Sequence, residues 1–277
     1  MNDPEQFIAP MLAVTATQPF DDAQWRYEVK WDGYRCQIHW TGHLQIFSRA
    51  GGNLLKTFPD LADIAQALNV PVILDGELIA WEDGKPSYTA LQQRRRAVHR
   101  IMVFDCLYAD GDWLCTYPLK MRLEQLNKVV STQGKLVVAD GVIHHGMALW
   151  LSVLEHQLEG VMAKQLDSPY EPGKRVKYWQ KFVAMTRKWA VVSYVSMSPA
   201  GQWLWWVGLK GSEASFIGKL VAPSGWEPDV GSLTRMDLSS TAIWRLAYPL
   251  MVEVEYRELT TEGKMRHGRI RRWRIQN

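Results

Sequence analysis

The 277 residues carry 32 Lys and Arg against 29 Asp and Glu, and 47% of them are hydrophobic. That balance excludes a disordered chain and leaves room for one large domain or two. No apolar run approaches the roughly 18 residues of a membrane span, and the acidic, polar residues 1–6 are unlike a signal peptide, so a cytoplasmic protein without a membrane partner is expected.

Residues 25–30 (Trp-Arg-Tyr-Glu-Val-Lys) alternate, so Tyr27 and Val29 face one way and Glu28 and Lys30 the other. Asp32-Gly33 reads as a turn and residues 34–40 resume the alternation, the pattern of a hairpin with a solvated lysine. A strand over 44–47 leads into Ser48-Arg49. Pro59 opens a helical pattern with Leu61, Ile64 and Leu68 on one face. The apolar run at 72–74 continues into Asp75-Gly76-Glu77, whose two carboxylates share a strand face, and a further strand covers 101–104. Pro118 opens a second helix with Leu119, Leu123, Leu126 and Val130 in register. A third, over about 147–158, aligns Leu151, Leu154 and Leu158 and stops before Gly160. Glu159 then stands at the entrance of a strand over 161–163, and residues 174–181 interleave basic and aromatic side chains.

From about Trp189 the pattern becomes short strands, over 189–195, 203–209, 215–220 and 251–256, with a helical stretch expected only near 228–237. Short strands at this spacing with a basic character point to a small oligonucleotide-binding barrel. Trp203, Trp205 and Trp206 serve either as packing or as stacking platforms, and packing is the commoner use. Residues 186–277 hold 13 basic against 8 acidic residues, whereas 1–185 hold 19 against 21. From Lys264 onward six basic residues follow with no acidic one, either a polyanion-binding surface or a solvated terminus. The three cysteines, odd in number and without C-x-x-C spacing, point away from a disulfide framework or a zinc site.

Read singly, each polar cluster is an ordinary turn, ion pair or solvated run. In this order they converge on one chemistry. An ordinary lysine is a neutral amine only about one part in a thousand at pH 7, so a nucleophilic Lys30 would need a pocket built around it.

The chain resembles the ATP-dependent DNA ligases, covalent nucleotidyltransferases, in their compact two-domain bacterial form related to end-joining ligases. Lys30 to Arg35 matches K-x-D-G-x-R, and residues 48–51 match S-R-x-G. Residues 75–78 match D-G-E-L, 103–105 the aromatic-Asp motif, and 159–164 E-G-x-x-x-K. Residues 9–13 and 90–95 agree as well. The likeness covers about residues 7–185 and continues more weakly beyond. It implies an α+β fold: a nucleotidyltransferase domain of antiparallel sheets with flanking helices over 1–186, then a small all-β OB-fold barrel over 187–277. No separate amino-terminal DNA-binding domain is expected.

The resemblance further implies that Lys30 attacks the α-phosphorus of ATP, giving a lysyl-AMP; that AMP passes to a 5′-phosphate at a nick; and that the 3′-hydroxyl then expels it. Asp32 would steer the lysine and Lys181 touch the α-phosphate. Glu28 would accept from the adenine amino group, Phe104 stack on the base, and Glu77 bind the ribose. Arg35 and Arg49 would hold phosphate or ribose oxygens, and Lys164 would lie near phosphate. Glu159 and Glu77 would hold Mg²⁺, for which Mn²⁺ could substitute. Arg266, Arg269, Arg271 and Arg272 would contact DNA or pyrophosphate. The implied partners are nicked double-stranded DNA and repair or end-joining proteins, and the implied state is a monomer in the cytoplasm at the nucleoid. Two departures stand out: the fifth motif, W-x-K-x-K, has Val183 at its second lysine, and the sixth, R-x-D-K, keeps arginines but no aspartate. An RNA ligase, a GTP-dependent capping-type enzyme and a non-catalytic nucleic-acid-binding module remain as alternatives.

Overall fold

The computed structural model describes residues 3–94, 97–131, 134–209, 215–236, 242–260 and 262–275. Arg95, the last of the 90–95 segment, and Asp237, at the end of the expected helical stretch, lie outside them. The chain divides into two compact units, Met1–Ala184 and Met185–Asn277.

The first unit is built on two sheets. One has five strands in the order Leu12–Thr15, Arg175–Val183, Gly160–Gln165, Trp25–Val29 and Gly141–Ile143. All its pairs are antiparallel except the first. The other runs Leu44–Ser48, Tyr34–Trp40, Val72–Glu82, Val98–Ala109 and Asp112–Trp113, with Lys85–Pro86 and Leu136–Val138 paired off this path. Its outer face packs Ile38, Leu74, Leu78 and Val103 against Leu61 and Ile64 and against Leu119, Leu123 and Leu126 of the helix Leu119–Val129. Its inner face meets the five-stranded sheet through Ile73, Phe104, Leu107, Tyr170 and Trp179. The far side of the five-stranded sheet carries Tyr27, Val161 and Phe182 under the helix Gly146–Glu155. Helices thus cover the two outer faces, and the sheets enclose a cleft.

Three local expectations change. The Pro59 stretch winds as a 3-10 helix, Pro59–Ala67, with Leu68 already extended at its cap. In the helix Gly146–Glu155, Met147, Leu151 and Leu154 are exposed. The face toward the sheet is Gly146, Leu149, Trp150 and Val153, an i, i+3, i+4, i+7 set interrupted by a glycine and hard to see beside three leucines. The third concerns Asp32-Gly33, which does not close a hairpin. Trp25–Val29 and Tyr34–Trp40 belong to different sheets, and residues 30–33 carry the chain from one to the other. Glycine is required at position 33, because a Cβ there would stand 2.0 Å from the carbonyl oxygen of Leu78.

The second unit is a curled, antiparallel six-stranded sheet. Phe216–Val221, Trp203–Leu209, Thr186–Met197, Ile243–Tyr256 and Thr234–Met236 follow in order, and Arg269–Ile275 also pairs with Ile243–Tyr256. A register shift between Val192 and Tyr194 bends the two longest strands together around Val192, Val195, Trp205, Val207 and Val252. Trp205 is fully buried, so its role is packing. The stretch expected to be helical holds only the short 3-10 turn Val230–Ser232 and the strand Thr234–Met236 among its described residues.

Candidate active site

The crossover at residues 30–33 sets Lys30 at the seam between the two sheets. Its backbone N–H donates to the carbonyl of Gly160 at 2.8 Å, and its ammonium lies 2.6 Å from Oε1 of Glu159. Strand register sets the floor of the cleft: Glu28 stands opposite Met162, which stands opposite Lys181, and Arg26, Lys164 and Trp179 form the adjacent row. At the Lys30 end, burial and the charges of Lys30 and Arg175 lower Lys181 below an ordinary lysine, and Arg49 adds to the same field. Arg49 itself is exposed after the strand Leu44–Ser48. Asp32 lies half-buried within the crossover.

The opposite end of the cleft is a buried charge network. Glu28, almost fully buried, accepts at 2.9 Å from Nε of Arg26 and at 2.6 Å from Nζ of Lys164. Lys164 also sits 4.1 Å from the centre of the Phe104 ring and 4.6 Å from that of Trp179. Burial pulls its ammonium below the usual lysine value even with Glu28 beside it. Lys164, expected near phosphate, keeps company with Glu28 and Phe104 and stands directly opposite Arg26 and Trp179 on the two neighbouring strands.

The facing sheet supplies Arg35, Asp75, Glu77 and Phe104. Arg35 forms a bidentate pair with the fully buried Asp75, both bonds 2.6 Å, and its guanidinium lies 4.6 Å from the Phe104 ring centre. The hydroxyl of Tyr170 donates to the same Asp75 at 2.6 Å. The Nε and one Nη of Arg35 are thus engaged, which leaves only the remainder of the fork for a ligand. Glu77 stands opposite Arg35 across the strands. Burial pushes its carboxyl up to about 8, against the opposing pull of Arg35 and Lys30. Behind Phe104, Asp105 forms a fully buried bidentate pair with Arg122, at 2.7 and 2.9 Å, and Arg122 also donates to the carbonyls of Tyr117 and Ser168.

Several of these residues carried no assigned role in the sequence. Asp75 and Asp105 stood inside recognisable motifs, so their positions were visible but their partners were not. Arg122 and Tyr170 gave no signal, because their partners lie 17 and 95 residues away.

The four carboxy-terminal arginines are not a bare cationic surface. In the second unit Arg269 and Arg271 converge with Arg187 on Glu255, Arg272 pairs with Glu253 at 2.8 Å, and Arg266 pairs with Glu258 at 2.8 Å. Arg272 and Arg274 both lie 5.2 Å from the ring centre of Trp189.

Among the described residues no group of three or more His, Cys, Asp or Glu could hold a metal ion alone. Glu159 and Glu77 nonetheless fit Mg²⁺, a hard cation that takes one or two carboxylates and completes its shell with water and substrate phosphates. The two carboxylates are close enough for the charge of Glu159 to act on Glu77.

Residues 10–182 match the family model of the ATP dependent DNA ligase domain. The chain is 27% identical to the SPbeta prophage-derived DNA ligase-like protein LigB of Bacillus subtilis, over 97% of this chain and all of that protein. It is 31% identical to the multifunctional non-homologous end joining protein LigD of Mycolicibacterium smegmatis, over 95% of this chain but only 38% of that longer protein. Among solved structures, a mycobacterial DNA ligase D complexed with ATP and MES superposes with a TM-score of 0.62 at 28% identity, covering 98% of this chain and 96% of that one.

Proposed function

The chain belongs to the family of ATP-dependent DNA ligases, and from that premise we propose how its cleft seals a nick. Lys30 Nζ attacks the α-phosphorus of ATP and forms a phosphoramide bond while pyrophosphate leaves. The 5′-phosphate at the nick then attacks the same phosphorus, and AMP moves to DNA as Lys30 departs. The 3′-hydroxyl attacks the DNA phosphorus, the phosphodiester closes and AMP is expelled.

The arrangement that carries this reading is one cleft with two chemically distinct ends. At one end Lys30 and Lys181 are set among Arg49, Arg175 and Glu159. That is a phosphate site, where transfer depends on positioning and charge neutralisation. At the other end Phe104 and Glu28, both now touched by Lys164, would turn a ring face and an acceptor to the face and amino edge of adenine. Glu77 would meet the ribose hydroxyls, with its carboxyl ionised wherever Mg²⁺ is bound. Asp32 steers Lys30, and the uncommitted side of Arg35 reaches a ribose or phosphate oxygen. Mg²⁺ held by Glu159 and Glu77 would neutralise developing charge on the phosphates. Cation density from Arg175 and Arg49 offsets the missing motif lysine at Val183.

The curled sheet of the second unit is read as an OB-fold barrel that binds nicked duplex DNA, with Arg266, Arg269, Arg271 and Arg272 toward phosphate. A monomer in the cytoplasm at the nucleoid, working with repair or end-joining proteins, fits this reading. Incubation with α-labelled ATP and Mg²⁺ tests it. Label should attach to the protein, vanish in Lys30→Ala, and pass to a 5′-phosphorylated nick that is then sealed. Labelling from GTP in place of ATP, or sealing of nicked RNA but not DNA, would overturn it.

A further inference from the structure

Arg26 is absent from every motif, yet its guanidinium is built into the base end of the cleft. On the strand Trp25–Val29 it lies two residues before Glu28 and on the same face. Its Nε donates to Glu28 Oε1 at 2.9 Å, and its Nη2 donates to the carbonyl of Ala139 at 3.0 Å. The guanidinium therefore bridges the acceptor to the backbone of a neighbouring segment. The edge strand Gly141–Ile143 makes room for it. A Cβ at Gly141 would stand 2.6 Å from Arg26 Nε and 2.9 Å from Glu28 Cγ.

We propose that Arg26 is the residue that sets nucleobase specificity, by aiming the acceptor oxygens of Glu28 so that a 6-aminopurine is accepted and a 6-oxopurine refused. This rests on the reading that Glu28 faces the base. A 6-aminopurine presents a donor at position 6, whereas a 6-oxopurine presents an acceptor there. An ionised carboxylate only accepts; a protonated one can also donate and would tolerate the oxo group. In a buried site each oxygen of Glu28 needs a donor beside it. Lys164 serves Oε2, but a buried lysine can lose its proton. A guanidinium cannot, and its planar fork fixes direction as well as charge. Arg26 is thus a positioning residue acting through Glu28.

The experiment compares self-adenylylation with ATP and its inosine counterpart with ITP, measuring kcat and KM for each. Arg26→Met should lower the ATP-over-ITP ratio of kcat/KM by about ten-fold or more, mostly through the KM for ATP. Arg26→Lys should recover part of the ratio, and Gly141→Ala should move it in the same direction as Arg26→Met. The Gly141 variant also carries the test if Arg26→Met fails to fold. A folded Arg26→Met whose ratio stays within two-fold of the parent overturns the proposal. Glu28→Gln separates the two layers. If it too leaves the ratio unchanged, the reading of Glu28 as base acceptor fails; if it collapses the ratio while Arg26→Met does not, only the role of Arg26 fails.

Discussion

Lys30 and Glu159 form an ion pair of 2.6 Å at the seam of the two sheets. The residue proposed as nucleophile is held by the residue proposed to bind metal. Glu159 would therefore have to exchange Lys30 for the metal, and the amine so released would be able to approach phosphorus. Glu159→Gln keeps the shape but removes the charge. It should slow self-adenylylation by roughly 10- to 100-fold and raise the Mg²⁺ concentration needed for half-maximal rate. Rapid-quench labelling across a Mg²⁺ titration measures both; an unchanged Mg²⁺ dependence would remove Glu159 from the metal.

Glu77 gives the first unit a specific pH signature. Its carboxyl titrates at about 8 when folded, against 4.5 as the ordinary value, with burial as the main cause. Between those values the native state holds a proton that the unfolded state has lost. The stability it confers is complete below about 4.5 and is lost as pH rises through about 8. The melting temperature should fall from about pH 4.5 to about pH 8 and level off above it, and Glu77→Gln, which cannot titrate, should flatten that part of the curve. An equally steep decline in the variant would assign the effect to another group.

The candidate residues could be singled out because each stands in a short local pattern of its own. The alternation over 25–30 put Glu28 and Lys30 on one strand face, and Glu77 and Glu159 stood at polar interruptions of apolar strands. What the sequence did not carry was pairing between distant strands. Local turn chemistry at Asp32-Gly33 favoured a hairpin, whereas the flanking strands join different sheets and Gly33 packs close against Leu78. The same limit applies to charge. The run from Lys264 reads as a bare cationic tail until the register with Ile243–Tyr256 brings Glu253 and Glu255 beside it. A count of charges along a strand says nothing about what the next strand presents.

Asp105 and Arg122 form an ion pair with no solvent exposure on either side chain, and Arg122 also ties down the carbonyls of Tyr117 and Ser168. Removing one partner leaves a buried charge without compensation, a loss of about 3–5 kcal/mol. Arg122→Met should therefore destabilise the first unit by that order in urea denaturation. Asp105→Leu combined with Arg122→Met should recover a good part of it, since the pair is then replaced by apolar groups. A double variant as unstable as the sum of the singles would mean that the carbonyl contacts, rather than the charge pair, dominate.

Glu255 restrains the basic surface of the second unit. Burial alone would push its carboxyl up, but hydrogen bonds from Arg271, Arg187 and Arg269 outweigh it and bring it down to about 2. The stability it contributes is present above about 4.5 and lost as pH falls toward 2. In Glu255→Gln three half-exposed guanidiniums lose their shared counter-charge. The variant should be less stable at neutral pH, by roughly 1–3 kcal/mol, and should lack the acid-side decline. It should also bind nicked duplex DNA with a steeper salt dependence, since each further phosphate engaged adds about 0.9 to the slope of log K against log salt. Fluorescence anisotropy over a salt series reads that slope. A slope unchanged from the parent, in a protein still folded at the assay temperature, would show that Arg187, Arg269 and Arg271 do not face DNA and serve only to close the curled sheet.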